Sequence, residues 1–158
     1  MPQGELEHAF LKRATRIGSP MGLLMLDIDH FKSVNDRHGH PAGDAALKAV
    51  GALLAGGTRA GDLACRLGGE EFAMLLTGME HADALAAAQA WRSALAALDI
   101  PNDAGVLRLT ASFGVATFPR QAASLDALMK LADTRLYLAK ALGRDHVCSA
   151  DDLSQSRG

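Results

Sequence analysis

The chain has few aromatic residues, no excess of charge of one sign and no long apolar run. Only 4% of its 158 residues are aromatic, so its core has to be built from Leu, Ala, Val and Met. Sixteen Lys and Arg against 18 Asp and Glu give a net charge of −2, which excludes a nucleic-acid binder held by bulk positive charge. No apolar run approaches the ~20 residues of a membrane-spanning helix. Composition therefore predicts a soluble domain of enzyme size.

Cysteine is scarce as well, with only Cys65 and Cys148 present. Two cysteines make no disulfide framework, which favours a reduced, cytoplasmic protein. The first five residues lack a basic segment followed by an apolar stretch, so no secretory signal is expected. The length predicts a single domain over residues 1–149, followed by a polar, disordered tail at 150–158. We expect no contact with a membrane or with a nucleic-acid polymer.

Hydrophobic patterning predicts helices that alternate with strands and hairpins. Helices are expected over residues 4–17, 41–55, 81–98 and 124–142, with a short helical turn at 30–37. Strands are expected over residues 21–28, 62–67, 70–77, 106–118 and 145–149, the fourth with a break near Leu109. Gly68 and Gly69 between two apolar runs indicate a tight hairpin. This order predicts an α+β domain of ferredoxin-like type with an antiparallel or mixed sheet.

The first apolar run, at residues 21–26, ends in the acidic residues Asp27 and Asp29. A run of this kind is typical of a central strand that is covered on both faces. A carboxylate at its end costs several kcal/mol unless it is paired. Taken alone, this segment favours a cap on the next helical turn over a metal site.

A second acidic pair, Glu70 and Glu71, follows the glycine turn directly. If the hairpin pairs with the strand that ends at Asp27, the carboxylates lie on strands ~4.8 Å apart. They then repel one another unless they are protonated or bridged by a cation. A hard divalent ion such as Mg²⁺ resolves this repulsion, and its affinity for phosphate oxygens suggests a phosphate substrate. Glu70 and Glu71 share a site only if the turn bends the strand, because strand neighbours face opposite sides.

Several other polar residues each allow two interpretations. Lys32 either balances a phosphate or is a solvated surface lysine. Asn35 and Asp44 either read a base edge or form turns and caps. His38 and His40 make a weak metal pair, because no third ligand stands at a suitable spacing.

The roles of the cations near the end of the last helix, and of an ion pair before the hairpin, are also open. Lys140 and Arg144 either complement the helix dipole or clamp a polyphosphate. The spacing of Arg59 and Asp62 alone indicates a surface ion pair of small energetic effect.

Three separated blocks of sequence together resemble the GGDEF-domain diguanylate cyclase family. Residues 66–72 read R-L-G-G-E-E-F, which is similar to the family signature in its G-G-E-E-F form. Residues 26–44 resemble the upstream block of that family, and residues 132–144 resemble its closing helix. The blocks stand in the family's order within residues 4–147. The usual opening segment, D-x-L-T-G-L-x-N-R-R, is missing, so we expect a cyclase domain without it.

The resemblance implies a fold and an activity. The family fold is a mostly antiparallel five-stranded sheet surrounded by helices, akin to nucleotidyl cyclases and polymerase palms. The implied reaction condenses two GTP molecules into cyclic di-GMP with release of pyrophosphate, and it uses Mg²⁺ or Mn²⁺. The product has twofold symmetry and a domain offers one GTP site, so catalysis requires a homodimer. An upstream sensor domain, not contained in this chain, would regulate the enzyme.

The resemblance also implies roles for individual residues. Asp27, the main-chain carbonyl of Ile28 and Glu70 would hold the metal. Glu70, Glu71 and Lys32 would be catalytic. The residues implied to bind substrate, through the base, the phosphates or close backbone approach, are His30, Phe31, Lys32, Asn35, His40, Asp44, Gly68, Gly69, Lys140 and Arg144.

The same resemblance changes the interpretation of Arg59 and Asp62. Many family members carry an R-x-x-D product-inhibition site in this register before the signature. The implied role is allosteric binding of cyclic di-GMP, with Arg92 from the next helix contributing.

Three other functions remain open from the sequence. The first is a binding module that keeps the fold and senses GTP or cyclic di-GMP without turnover. The second is a cyclase that makes a mixed guanine–adenine dinucleotide. The third is a structural domain whose acidic pairs are surface features, which would require Asp27 and Glu70 to lie far apart.

Overall fold

The computed structural model describes residues 2–14, 19–103 and 105–150. Its helices are α1 Pro2–Ala14, α2 Phe31–His38, α3 His40–Gly56, α4 His81–Ala96 and α5 Leu125–Ala141. Its strands are β1 Met21–Ile28, β2 Leu63–Gly68, β3 Glu71–Thr77, β4 Ile100–Asn102, β5 Gly105–Leu107, β6 Ala111–Phe118 and β7 Val147–Cys148. The end of the predicted first helix and the predicted tail beyond residue 150 lie outside the described residues.

The main sheet has five strands in the order β2-β3-β1-β6-β7. Strand β1 is central and runs antiparallel to both β3 and β6, and β2 is antiparallel to β3. Only β7 pairs in parallel, with β6. The predicted α+β architecture with a mostly antiparallel five-stranded sheet is therefore confirmed.

Helices cover both faces of this sheet, which explains the unbroken apolar run in β1. Leu24, Leu26 and Ile28 pack with the core residues of α3 and α4. Met21, Leu23 and Met25 belong to a second cluster with α1 and α5. The alternation of side chains along a strand therefore turns Asp27 toward α5.

The strand predicted at residues 106–118 is divided into two parts. Gly105–Leu107 pairs with Ile100–Asn102 in a separate hairpin, and the main-sheet strand begins only at Ala111. Between the two parts, Thr110 is bonded to Asp29 through both its carbonyl and its hydroxyl. Sequence patterning missed β4, because a three-residue strand that contains Pro101 gives no periodic signal.

Two findings concern the predicted absences. Cys65 and Cys148 are both buried and free. Within the described residues, no helix is both long enough and apolar enough to cross a bilayer.

Candidate active site

The acidic residues of β1 and of the hairpin meet at one end of the sheet. Asp27 pairs directly with Glu71 across the β1–β3 ladder, so the two side chains lie on the same face. Glu70 lies in the turn before β3, and its carbonyl accepts a hydrogen bond from the Ile28 amide at 3.2 Å. Because Glu70 is in the turn rather than in the strand, strand alternation does not separate it from Glu71.

The turn that places Glu70 has a backbone conformation suited to glycine. Gly69 has a φ of 53° and Gly68 a φ of 151°. Arg66 donates from Nε to the Gly69 carbonyl at 2.8 Å, which ties the turn back to β2. A residue with a Cβ would be strained at Gly69. The conformation of the two glycines therefore sets the position of Glu70 and Glu71, which follow directly.

Asp27 is nearly buried and pairs with a cation from α5. The Lys140 ammonium group donates a hydrogen bond to Asp27 Oδ2. Burial raises the pKa of Asp27, Lys140 opposes that rise, and the charges of Glu70 and Asp29 add to it. Glu70 lines the same cavity as Asp27, and its carbonyl bonds the neighbouring Ile28 amide, so the two acidic residues do not lie far apart as the purely structural alternative requires.

Glu71 lies in a similar environment. Burial raises its pKa, and the charges of Asp133, Asp27 and Glu70 raise it further against the opposing effect of Lys140. Asp133 received no role from the sequence. It stands seven residues before Lys140 on α5, a spacing that puts both residues on one helix face and could have indicated its proximity.

A cavity of about 260 Å³ opens beside these carboxylates. It brings together acidic residues from β1 and the turn, the N-terminal end of α2, and cations from the end of α5. His30, which precedes α2, adopts a left-handed conformation with a φ of 56°. The residues that line the cavity are Asp27, Ile28, Asp29, His30, Phe31, Lys32, Ser33, Glu70, Lys140 and Arg144.

The residues predicted to recognise a base lie outside this cavity, around the α2–α3 junction. Asn35 packs against Gly43, where a Cβ would overlap the Asn35 side-chain oxygen. Asp44 is exposed one residue further along α3, and His40 is exposed at its start. The structure therefore places Asn35 and Asp44 near each other. Along the sequence, Phe31 and Lys32 stand between Asp27 and these two residues.

Asp29 has a structural environment, and the predicted capping role is wrong. No side-chain hydrogen bond from the described part of the chain caps α2. Asp29 is buried and accepts hydrogen bonds from the hydroxyls of Thr110 and Ser112, each at 2.7 Å. It also accepts from the Asp145 amide at 2.8 Å. Asp29 thus joins the end of β1 to β6 and to the chain that follows α5.

The donors at this site fit a hard divalent cation. Among the described residues, no group of three or more His, Cys, Asp or Glu side chains is arranged as a metal site. The predicted set has two carboxylates, Asp27 and Glu70, and the carbonyl of Ile28. An all-oxygen set with few protein ligands and surplus negative charge suits Mg²⁺, which keeps waters and takes phosphate oxygens. It does not suit Zn²⁺, which prefers nitrogen and sulfur ligands.

Arg59 and Asp62 form a clamp whose carboxylate is buried, which differs from the surface pair that their spacing alone indicates. The Asp62 side chain is only 1% exposed. It accepts hydrogen bonds from the amide and Nε of Arg59 and from the amide and hydroxyl of Thr77. Burial raises the pKa of Asp62, but these hydrogen bonds outweigh burial and the pKa is lowered. Arg59 also donates to the Thr77 carbonyl at 2.6 Å.

A second cavity, of about 560 Å³, adjoins this clamp between α3 and α4. Small residues and Trp91 line it, with Arg59 and Asp62 at its edge. Arg92 is not among the residues that line it. The Arg92 guanidinium contacts Gln89 and Asp145 instead, at 2.9 and 3.0 Å. The structure therefore does not bring Arg92 to the cavity beside Arg59.

The sheet topology and its flanking helices define an α+β domain of the nucleotidyl-cyclase type. A family model described as "Diguanylate cyclase, GGDEF domain" matches residues 3–146, and the chain belongs to this family. It is 39% identical over 146 residues to the response regulator PleD of Caulobacter vibrioides, covering 91% of this chain and 32% of PleD. It thus spans about a third of the length of the curated relatives it matches.

Solved structures are similar along nearly the whole chain. The GGDEF domain of PA1120 from Pseudomonas aeruginosa has a TM-score of 0.85 at 34% identity, covering 98% of this chain and 90% of that chain. The GGDEF domain of DgcB from Caulobacter crescentus, solved with c-di-GMP, has a TM-score of 0.85 at 29% identity, with coverages of 95% and 88%. The active GGEEF domain of a Vibrio cholerae diguanylate cyclase has a TM-score of 0.82 at 26% identity, with coverages of 93% and 92%.

Proposed function

We propose that this chain is a diguanylate cyclase, which condenses two GTP molecules into cyclic di-GMP and releases pyrophosphate. The observation that carries the proposal is the meeting of Asp27, Glu70 and Glu71 beside a cavity lined by three cations. Membership of the GGDEF family supports the choice of substrate and product. The G-G-E-E-F sequence is shared with the signature named for the active Vibrio cholerae domain, which supports turnover rather than binding alone.

A divalent cation, Mg²⁺ or Mn²⁺, would be held by Asp27, Glu70 and the carbonyl of Ile28. When bound, such an ion neutralises phosphate charge and orients the triphosphate oxygens. Lys140 pairs with Asp27 in this structure. We expect Lys140 to exchange that carboxylate for a phosphate oxygen when the nucleotide binds.

The phosphates would be held by Lys32, Lys140 and Arg144, which line the cavity. Arginine binds phosphate through two parallel hydrogen bonds, and lysine acts as a compact positive charge. The amides at the start of α2, around His30 and Phe31, would be further donors to an anion.

The base would be read at the α2–α3 junction by Asn35 and Asp44, with His40 nearby. A carboxylate accepts hydrogen bonds from the N1–H and 2-amino groups of guanine, and adenine offers no such pair. Asp44 therefore favours GTP over ATP. Gly68 and Gly69 would let the turn approach the nucleotide without a Cβ in the way.

In the proposed reaction, the 3′-oxygen of one GTP attacks the α-phosphorus of the other. A new oxygen–phosphorus bond forms, the bond to the β-phosphate oxygen breaks, and pyrophosphate leaves. Glu71 is suited to accept the 3′-hydroxyl proton, because burial and neighbouring carboxylates raise its pKa. A second, reciprocal transfer closes the ring, and it requires the nucleotide sites of two copies of the chain to face each other.

The test is turnover of GTP with identification of the product, comparing the chain with Glu70→Gln. We expect cyclic di-GMP from the wild type and a loss of at least about 100-fold in the variant, because one metal-binding carboxylate is removed. Glu80→Gln is the matched control, since Glu80 is exposed before α4 and should leave the rate unchanged.

Two results would contradict the proposal. Tight GTP binding without any product would identify a sensing module. A mixed guanine–adenine product from a GTP and ATP mixture would identify a different cyclase.

We further propose that cyclic di-GMP inhibits the enzyme by binding at Arg59. The Arg59 side chain is 56% exposed at the edge of the larger cavity, so its guanidinium is accessible to a phosphate. Asp62 would orient Arg59 through the hydrogen bonds described above. Arg92 has no part in this proposal, because its guanidinium contacts Gln89 and Asp145 and Arg92 is not among the residues that line this cavity.

Arg59→Ala should relieve inhibition by added cyclic di-GMP while the initial rate stays within about twofold of the wild type. The reason is that Arg59 is not among the residues that line the cavity beside the acidic cluster. The measurement is an inhibition curve, with a thermal unfolding curve to show that the variant is folded. An unchanged inhibition constant would contradict the feedback site.

A further inference from the structure

The turn that follows α5 has an unusual backbone. Gly143, Arg144 and Asp145 have φ values of 114°, 65° and 47°, so three consecutive residues lie in the left-handed region. Glycine adopts this region readily, but Arg144 and Asp145 carry a Cβ and are strained there. Such a conformation persists only where surrounding contacts hold it.

Two side chains from distant parts of the fold hold this turn. Asp29, at the end of β1, accepts the Asp145 amide at 2.8 Å. Arg92, on α4, donates from Nη1 to Asp145 Oδ1 at 3.0 Å, and the Arg92 side chain is 28% exposed. Asp29 is itself fixed by hydroxyls of β6 and its preceding residue. Hydrogen bonds therefore hold Asp145 through both its backbone amide and its side chain.

The residue that this turn carries into the site is Arg144. Arg144 lines the catalytic cavity together with Lys140, three residues after the end of α5. It has no helix to orient it, so the conformation of the turn decides where its guanidinium lies. Contacts at Asp145 thereby act on the cation next to it.

We propose that Arg92 is a positioning residue for GTP binding, which acts by holding the Gly143–Asp145 turn so that Arg144 faces the triphosphate. This inference rests on the proposed function, in which Arg144 binds phosphate. It gives Arg92 a role at the catalytic cavity rather than at the product site beside Arg59.

The test is calorimetric binding of a non-hydrolysable GTP analogue with Mg²⁺ to the wild type, Arg92→Ala, Arg144→Ala and the double variant. Arg92→Ala should weaken binding about two- to fivefold, the range that a half-exposed ion pair supports. Arg144→Ala should weaken it by about tenfold or more, because it removes charge-assisted hydrogen bonds. The double variant should bind as weakly as Arg144→Ala and no weaker, because Arg92 acts only through Arg144.

Two further variants separate positioning from a general loss of structure. Asp145→Gly removes the carboxylate that accepts the hydrogen bond of Arg92, while glycine adopts the turn without strain. This variant should weaken binding of the GTP analogue as much as Arg92→Ala does. Combining it with Arg92→Ala should weaken binding no further. Arg108→Ala breaks a comparable but more exposed pair with Asp99 and should leave binding unchanged. Each variant should keep the thermal unfolding transition of a folded protein.

Three outcomes overturn the inference. The first is that Arg92→Ala and Arg144→Ala weaken binding of the GTP analogue additively. The second is that Arg92→Ala leaves the affinity unchanged. The third is that Arg92→Ala relieves inhibition by cyclic di-GMP without loss of GTP affinity. Binding is read without turnover. A chain that shows the expected coupling but forms no cyclic di-GMP therefore contradicts the cyclase proposal and leaves this inference supported.

Discussion

At the scale of single residues, Asp27 and Asp29 show how position decides the role of a carboxylate. They stand two residues apart at the end of the same strand, and both are nearly buried. Asp29 has its oxygens satisfied by two hydroxyls and an amide, which makes it a fixed link between strands. Asp27 pairs with Lys140 and lies near other carboxylates, which is why we propose it, and not Asp29, as a ligand of the cation.

Asp62 leads to a prediction about stability against pH. Its pKa lies below the ordinary 3.8, so its ionised form contributes stability above pH 3.8 that is lost as pH falls through the lowered pKa. Asp62→Asn should therefore lower the free energy of unfolding by about 1–3 kcal/mol at pH 7. The difference in free energy of unfolding between the wild type and the variant should shrink below pH 3.8, where the Asp62 carboxylate of the wild type becomes protonated. Urea unfolding at pH 7 and pH 3 measures both values.

Asp99→Asn is the control for this measurement. Asp99 also pairs with an arginine, but its side chain is 58% exposed. Its substitution should change the free energy of unfolding by less than about 0.5 kcal/mol at either pH. A deficit for Asp62→Asn that is equal at both pH values would show that the ionised carboxylate is not the stabilising form.

At the scale of elements, the packing of α5 on β6 brings the cations to the acidic residues. Gly114 in β6 lies directly under α5, and a Cβ there would overlap the carbonyl oxygen of Ala132 and the amide of Leu136. The absence of a side chain lets the helix backbone approach the sheet closely. From that position α5 carries Lys140 to Asp27 and Asp133 toward Glu71.

Gly114→Ala should therefore destabilise the fold by about 3 kcal/mol or more, because neither backbone can yield without moving the helix. Gly56→Ala is the matched control, since no atom lies within 4 Å of a Cβ at the end of α3. That variant should be neutral or stabilise by about 0.5 kcal/mol. Thermal unfolding of both variants is the measurement, and a wild-type transition for Gly114→Ala would contradict the close approach.

At the scale of the whole molecule, the proposed reaction depends on two copies of the chain. Each copy offers one acidic cluster, and the product contains two equivalent nucleotides. Specific activity should therefore fall as the enzyme is diluted toward nanomolar concentration, because the productive encounter is bimolecular. Initial rates over a dilution series measure this dependence. A specific activity that stays constant through the series would require a different catalytic assembly.

Local sequence patterns predicted most of the elements correctly. The apolar run of β1, the glycine turn and the stripe of α5 each encode their structure within a few residues, and the structure has all three. The short β4–β5 hairpin could not be found, because three residues are too few for a periodic pattern. The clamp at Asp62 was also missed, since its acceptor role depends on Thr77, fifteen residues away in the sequence.

For the candidate site, the sequence by itself determined which chemical groups are present and which of them lie close together along the chain. Asp27 and the Glu70–Glu71 pair could be chosen as candidates because carboxylates on neighbouring strands repel one another unless a cation bridges them. The α5 cations could be chosen only through the resemblance to the GGDEF family. Only the tertiary structure decided that Asp27 rather than Asp29 faces the acidic cluster, and that Arg92 holds Asp145 rather than standing beside Arg59. The physical reason is that these contacts join residues more than forty positions apart. Their distances are set by pairing and packing of distant segments, which no local pattern records.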